Sequence, residues 1–471
     1  MVETGVLSLL PAFITILLAF ATRQVIPALF AGVLTGSLVL VVSGVALLDA
    51  EPVRRFFLPA VGSNGYARIL LIYLWCLGGL IGLWKKTGGA YFFAETISKR
   101  FVRTPKGSLL FAWCLGVLFH QGGTISTVLA GSTIKPVADR HRISHEELSY
   151  IVDSTASPVA TVLPFNAWPV YIASLVVGSI PLLQTESQAV SFFFASIPYN
   201  FYGIFAVLLT LALALGFRPI GRGLRNSQVR AREKGQLDAP GADPIMPKQS
   251  LDDFSGLENY KPSLLDFFGP IGVLLSVAVL PLVIFGQSFV EQAFLLCVLS
   301  GIGIAAVKGM ALRDILDGFI QGCQSMTIGA IILGLAVTLA TVSKELGTAA
   351  FVVEILGDQV PKAILPAALC LLCMVIAFAT GTSWGTYAVV FPIALPLAFA
   401  VYPSTEYLHI CFGAVLGGAV FGDQCSPISD TTILSSMFTG CDMMDHVKTQ
   451  IPPALTAAGA GILISCTLAS L

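Results

Sequence analysis

Two aspartates stand at the end of a long apolar run. The stretch Gly422-Asp423-Gln424-Cys425-Ser426-Pro427-Ile428-Ser429-Asp430-Thr431-Thr432 follows directly on the apolar residues 410–420. A carboxylate near the centre of a bilayer costs roughly 2.5 to 3.5 kcal/mol on insertion scales, so such a residue faces a cavity, an ion or a partner. Carboxylates, hydroxyls and free carbonyls are the oxygen ligands of a small, hard cation. Asp423, Asp430, Ser426, Thr431, Thr432 and the glycine-bracketed Thr382 and Ser383 supply them here. Burial disfavours a charged carboxylate and a bound cation restores it. One such site therefore holds a proton or a cation, and exposing it alternately to two sides turns that competition into exchange.

The spacing of Asp423 and Pro427 says how the backbone takes part. In a continuous helix the amide of residue 427 would bond to the carbonyl of residue 423. Proline has no amide hydrogen and its ring clashes with that carbonyl, and it also disfavours helical geometry at Ser426. The sequence predicts an unwound break loosened by Gly422, with helix resuming near Ser429 and the Asp423 carbonyl freed. The same logic applies to Asp153-Ser154-Thr155-Ala156-Ser157-Pro158, where Pro158 frees the carbonyl of Ser154. Asp153 is the first-half counterpart that takes a proton or cation.

These breaks need elements to hold them. The chain has 471 residues, 55% hydrophobic and only 11% charged, with a mean hydropathy of +0.84. Soluble domains carry about 25% charged residues, so the composition points to an all-α polytopic membrane protein. Several segments reach the roughly 20 apolar residues a spanning helix needs, and strand-type alternation is absent. The N-terminal apolar run, followed by Arg23 and a further apolar segment, reads as a first span. The net charge of −1 points to no nucleic acid partner. The ten cysteines are scattered, and Cys370-x-x-Cys373 sits inside an apolar run with no second pair, which favours packing over metal.

Internal echoes divide the chain. Lys85 and Gly88 correspond to Lys344 and Gly347. At the same offset, Gly122-Gly123-Thr124 falls on Gly381-Thr382-Ser383, and the Asp153–Pro158 stretch falls near Asp423–Pro427. This order predicts two inverted repeats, 1–217 and 265–471, whose broken or re-entrant helices meet near the bilayer midplane. Between them lies 218–264, read as a cytoplasmic loop from its basic residues. Gly122, Gly123, Thr124, Asn166 and Trp384 are candidate lining of a cavity for an organic solute.

Each assignment has a plainer counterpart. Serines and threonines in membrane helices bond to preceding carbonyls, small residues serve close packing, and tryptophan favours interfaces. Asp442, Asp445 and His446 could equally cap or solvate a helix end. An intramembrane aspartyl protease is disfavoured because Val420-Phe421-Gly422-Asp423 lacks the first glycine of Gly-x-Gly-Asp. No phosphate-binding loop is present for ATP-driven transport.

The residues 422–432, with Gly440-Cys441-Asp442 and Asp445-His446-Val447-Lys448-Thr449-Gln450 downstream, closely resemble the signature of the NhaC-type Na+/H+ antiporter family. Weaker support comes from 381–386 and from Leu312-Arg313-Asp314, and Gln424 departs from the pattern, where Asn is common. The resemblance implies a multi-pass secondary transporter of the bacterial inner membrane, not an enzyme. It would work without a cofactor, with Na+ at Asp423, Asp430 and Thr431 exchanged for H+. It also implies a second reading, Na+-coupled movement of an amino acid or carboxylate, and leaves room for a homo-oligomer.

Overall fold

The computed structural model describes all residues except 1–4, 23–24, 46–50, 63–65, 68, 94–95, 97–101, 121–122, 164–165, 245–259, 286–288 and 357–359. The described residues form helices and connecting turns, with no strand among them. Among the described residues three helices are long and apolar enough to span a membrane: Ser383–Val401, Thr405–Cys425 and Met443–Ser470. Two bent pairs reach that length only together, Glu186–Tyr199 with Phe201–Ala214 at 52° and Ala330–Glu345 with Thr348–Ile355 at 60°. Six further apolar helices of 10–17 residues accompany them.

Helix 405–425 is the axis of the molecule. Its residues from Tyr407 to Cys425 are buried except His409, and it packs against helices Leu365–Thr380, 383–401, 443–470 and Phe201–Ala214. A helix buried all round must be apolar on every face, so a polar residue there has to find its partners inside the protein. Small residues set the packing distance. A Cβ on Gly422 would stand 2.3 Å from the Phe378 nitrogen and 2.4 Å from the Ala377 Cβ, and one on Gly418 would stand 2.4 Å from the Cys370 carbonyl oxygen. Gly422 is therefore a packing residue inside a helix that runs three residues further, which corrects the expectation that it loosens the break. A like contact joins helices Trp75–Thr87 and Leu312–Ser325, where Gly78 and Gly82 oppose Gly322 and Gly318.

The break itself falls where proline places it. The last bond of helix 405–425 runs from the Ser426 amide to the Gly422 carbonyl at 3.0 Å, Ser426 is extended, and helix resumes at Asp430 with Ser429 as its N-cap residue. In the first half, helix His145–Ser154 stops and a short helix Ser157–Ala160 begins after a two-residue turn, with Pro158 in its first turn. Gly88 and Gly347, paired by the sequence echo, both end a helix in the left-handed conformation at φ 66° and 69°, the geometry glycine adopts without penalty.

The stretch 218–264 is not loop throughout. Arg222–Lys234 is a helix between Gly221 and Gly235, both at positive φ. Its apolar residues are too few to show as a hydrophobic period. Charge docks it: Arg230 donates to both Glu146 oxygens at 2.8 and 2.9 Å, and Arg232 reaches Glu147 at 3.1 Å. Beside them His145 bonds to Asp238 at 2.6 Å and Asp139 at 3.1 Å. Burial works against a charge on His145, but these carboxylates outweigh it and raise the imidazole to about 9. The clamp thus grips the start of the helix whose far end carries Asp153.

Candidate functional site

Asp423 lies in the last turn of helix 405–425 with 5% of its surface exposed. Its Oδ2 accepts from Ser383 Oγ at 2.9 Å and Ser157 Oγ at 3.0 Å, and its Oδ1 from Ser429 Oγ at 2.8 Å. Each serine stands at the start of a helix that follows a break: 157–160, 383–401 and 430–439. Backbone interruption thus brings hydroxyls from both halves of the chain onto one carboxylate. The N-terminal ends of helices 383–401 and 430–439 add partial positive charge, which favours the ionised form. The freed Asp423 carbonyl accepts from Thr432 Oγ1 at 3.3 Å. A hydroxyl can turn either its hydrogen or its oxygen inward, so this shell can serve a carboxylate in a proton-bound state and a hard cation with the same atoms.

A second buried carboxylate lies close by with different company. Asp153, with no exposed surface, accepts through Oδ2 from Gln450 Nε2 at 2.8 Å and Thr432 Oγ1 at 3.3 Å, and lies 3.1 Å from His446 Nε2. His446 and Gln450 are four residues apart on helix 443–470 and so share a face. Gln424 links the two clusters. Its side chain bonds Ser154 Oγ and the Tyr202 hydroxyl, each at 2.6 Å, and its carbonyl accepts from Gln450 Nε2 and from Thr432 Oγ1. Among the described residues no lysine or arginine pairs with either carboxylate, and no group of three His, Cys, Asp or Glu side chains is placed to hold a metal ion.

The other sequence candidates lie around this centre or away from it. Asp430 is exposed at the start of helix 430–439, its carboxylate accepting the Thr431 amide at 2.9 Å; it does not share the Asp423 shell. Thr431 touches that shell only through Ser429, 3.2 Å away. Ser426 is buried and accepts the Ile428 amide at 3.4 Å, bracing the turn. Thr382 lends its carbonyl to Thr386 at 2.9 Å. Asn166 is spent on its own chain, donating to the carbonyls of Ala160 and Leu163 and accepting the Trp168 amide. Trp384 packs against Tyr171 and Trp168, with ring centroids 4.4 and 5.4 Å away. Gly122 and the surroundings of Gly123 and Thr124 lie outside the described residues.

Ser157, Ser429, His446 and Gln450 were not singled out in the sequence as ligands, whereas Thr432 was. The first two lie within the motifs read there. The last two were visible as a polar pair at helical spacing.

Comparison with known proteins bears on the chain as a whole. The profile of the Na+/H+ antiporter family matches residues 159–469. The chain belongs to that family. Over 97% of its length it is 31% identical to an uncharacterised protein of Haemophilus influenzae, covering 90% of that relative. Shorter matches join it to a malate-2H+/Na+-lactate antiporter of Bacillus subtilis, 27% identical over 40% of each chain. The Na+/H+ antiporter NhaC of Alkalihalophilus pseudofirmus is 36% identical over 17% of this chain and 16% of the relative. In fold it is similar to the YdaH transporter of Alcanivorax borkumensis, with a TM-score of 0.60, 15% identity and 90% of each chain covered. The chain is a multi-pass membrane protein of an antiporter family, and Gly440, Cys441 and the 422–432 motif all lie within the matched region.

Proposed function

We propose that this chain exchanges Na+ for H+ across a bacterial inner membrane, with Asp423 as the carboxylate at which the two compete. The observation that carries the reading is the shell of three serine hydroxyls from both halves of the chain on one buried carboxylate, in a member of the Na+/H+ antiporter family. Ionised Asp423 in that shell costs several kcal/mol of desolvation unless a positive charge joins it. Either H+ or Na+ supplies that charge, and the empty carboxylate is the least favourable state for crossing. Purified protein in liposomes tests this: a Na+ gradient alone should drive protons opposite to Na+, so that the internal pH rises as Na+ enters, and no pH change with wild-type protein would refute it.

A second reading has support of its own. Helices Trp168–Val176, Thr327–Glu345 and 383–401 border a mostly apolar cavity of about 490 Å3 whose polar lining includes Ser174, Ser179, Thr341, Ser343 and Lys344, and the Bacillus relative is named for organic acids. A small carboxylate would fit such a lining. If the liposomes respond only once an organic acid is added, Na+-coupled solute transport replaces simple exchange.

A further inference from the structure

We infer that residues 222–243 form a latch, held on the first half of the chain by ion pairs and lapped over the start of helix 443–470. It has to part from that helix before the buried carboxylates open to the face it covers. This adds a control to the exchange reading above and rests on it. Asp153, His446 and Gln450 are all 0% exposed, so a seam must open before an ion reaches them. Helices 145–154 and 443–470 pack on each other and border one such seam, with Asp153 on one side and His446 and Gln450 on the other. At a rise of about 1.5 Å per residue, Asp153 stands about 12 Å along its helix from His145, and His446 about 6 Å from Asp442. Helix 222–234 packs on both helices and so closes the near end of the seam. Thr432 Oγ1, 3.3 Å from both Asp153 Oδ2 and the Asp423 carbonyl, continues the path to the Asp423 shell.

The two sides of the latch are held differently. On helix 145–154, Arg230 and Arg232 pair with Glu146 and Glu147, Gln228 donates to Glu147 at 2.9 Å, and the Ser144 and Ser227 hydroxyls meet at 3.1 Å. The backbone follows: the His145 amide donates to the Leu237 carbonyl at 3.2 Å, and His145 Nδ1 bonds Asp238. On helix 443–470 the described contacts are sparse. Gly221 lies against Pro452 and Gly223 against Thr449, and the Asp243 amide donates to Asp442 Oδ2 at 3.2 Å in an exposed position. Among the described residues no ion pair joins 222–243 to that helix.

A seam opens where least holds it. Glu146 and Glu147 are buried beneath their arginines, and parting such a pair leaves an uncompensated buried charge, so the latch stays with helix 145–154. Parting from helix 443–470 loses only van der Waals contact and one exposed hydrogen bond, which water replaces. The closed state is itself incompletely satisfied: Glu147 Oε2 and Arg225 Nε are buried without a hydrogen-bond partner, a cost that water relieves when the seam opens. The backbone can absorb the movement. Gly221 and Gly235, at φ 88° and 69°, bracket the helix, and Gly241, at 81°, precedes Asp243. A Cβ on Gly235 or Gly241 would meet no heavy atom within 4 Å, so both turns have open space beside them.

The test ties the latch down. A Cβ on Gly223 would stand 4.0 Å from the Thr449 Cβ, inside the disulfide range of about 3.5 to 4.5 Å. Gly223→Cys/Thr449→Cys can therefore be joined by oxidation and released by dithiothreitol. In liposomes the oxidised double variant, its bond verified by mass spectrometry, should lose Na+-driven pH change at least about 10-fold against its reduced form, and wild type should be unmoved by the same treatment. A disulfide-joined protein that exchanges as fast as its reduced form overturns the inference. A second measurement needs neither exchange nor the disulfide. Maleimide labelling at position 449, read on its own peptide, should run at least about 10-fold faster in Thr449→Cys/Arg230→Gln than in Thr449→Cys, because the latch has lost a buried charge pair. Equal rates overturn the inference too. Absence of any Na+-driven pH change in wild type refutes instead the exchange reading, and the labelling comparison still decides the latch.

Discussion

Asp423 and Asp153 are both buried, both sit at a helix end beside a proline-induced break, and neither has a lysine or arginine partner among the described residues, yet they are dressed differently. Asp423 receives three hydroxyls drawn from three helix starts. Asp153 receives an amide, an imidazole and one hydroxyl drawn mostly from a continuous helix. The difference teaches that a repeated backbone device does not dictate a repeated chemistry. Broken helices deliver hydroxyl oxygens, which a cation can use. An unbroken helix packed across the break delivers nitrogen donors, which hold an anion.

Predictions follow from trying to erase that difference. The largest effect is expected from Asp423→Asn, which removes the carboxylate that the three hydroxyls surround; Na+-driven pH change in liposomes should fall at least about 100-fold while the purified protein stays monodisperse. Next come Ser383→Ala and Ser157→Ala. Each removes one hydrogen bond to a charged group, worth about 1.5 to 3 kcal/mol, and should raise the Na+ concentration for half-maximal exchange by roughly 10-fold or more without altering stoichiometry. Asp430→Asn should matter less, because its carboxylate is exposed and bonds its own turn; a shift of about threefold or less in the same assay is expected from a partly screened neighbouring charge. A loss as complete as that of Asp423→Asn would place Asp430 in the shell after all.

The smallest effect concerns the outer clamp. His145 in the folded protein holds its proton up to about 9, against an ordinary value of 6.5. Its contribution is therefore complete below about 6.5 and disappears as the pH rises towards 9, on the order of 3 kcal/mol in all. The melting temperature should fall over that range in wild type and change less in His145→Gln.

Much of this arrangement was legible in the sequence, and the reason is covalent. Proline cannot donate a hydrogen bond, so the positions of Pro427 and Pro158 announced where helices stop, and the cost of buried carboxylates marked Asp423 and Asp153. Side-chain convergence was not legible, because it is set by how helices lie against one another. Ser157 and Ser383 are more than two hundred residues apart in sequence and meet only on Asp423. Gly422 read as a breaker because glycine both loosens and packs, and only the approach of helix 365–380 decides between them. Helix 222–234 was hidden because ionic contacts dock it, where an apolar stripe would have shown as a period.

The central claim, that the hydroxyl shell around Asp423 is where Na+ and H+ compete, is tested most directly by equilibrium binding of radioactive Na+ to purified protein as a function of pH. Wild type should show an apparent affinity that weakens tenfold per unit as the pH falls below the range where Asp423 ionises. Ser157→Ala/Ser383→Ala/Ser429→Ala should bind Na+ at least about 100-fold more weakly at every pH. Undiminished Na+ binding in that triple variant, with the fold intact, would contradict the account.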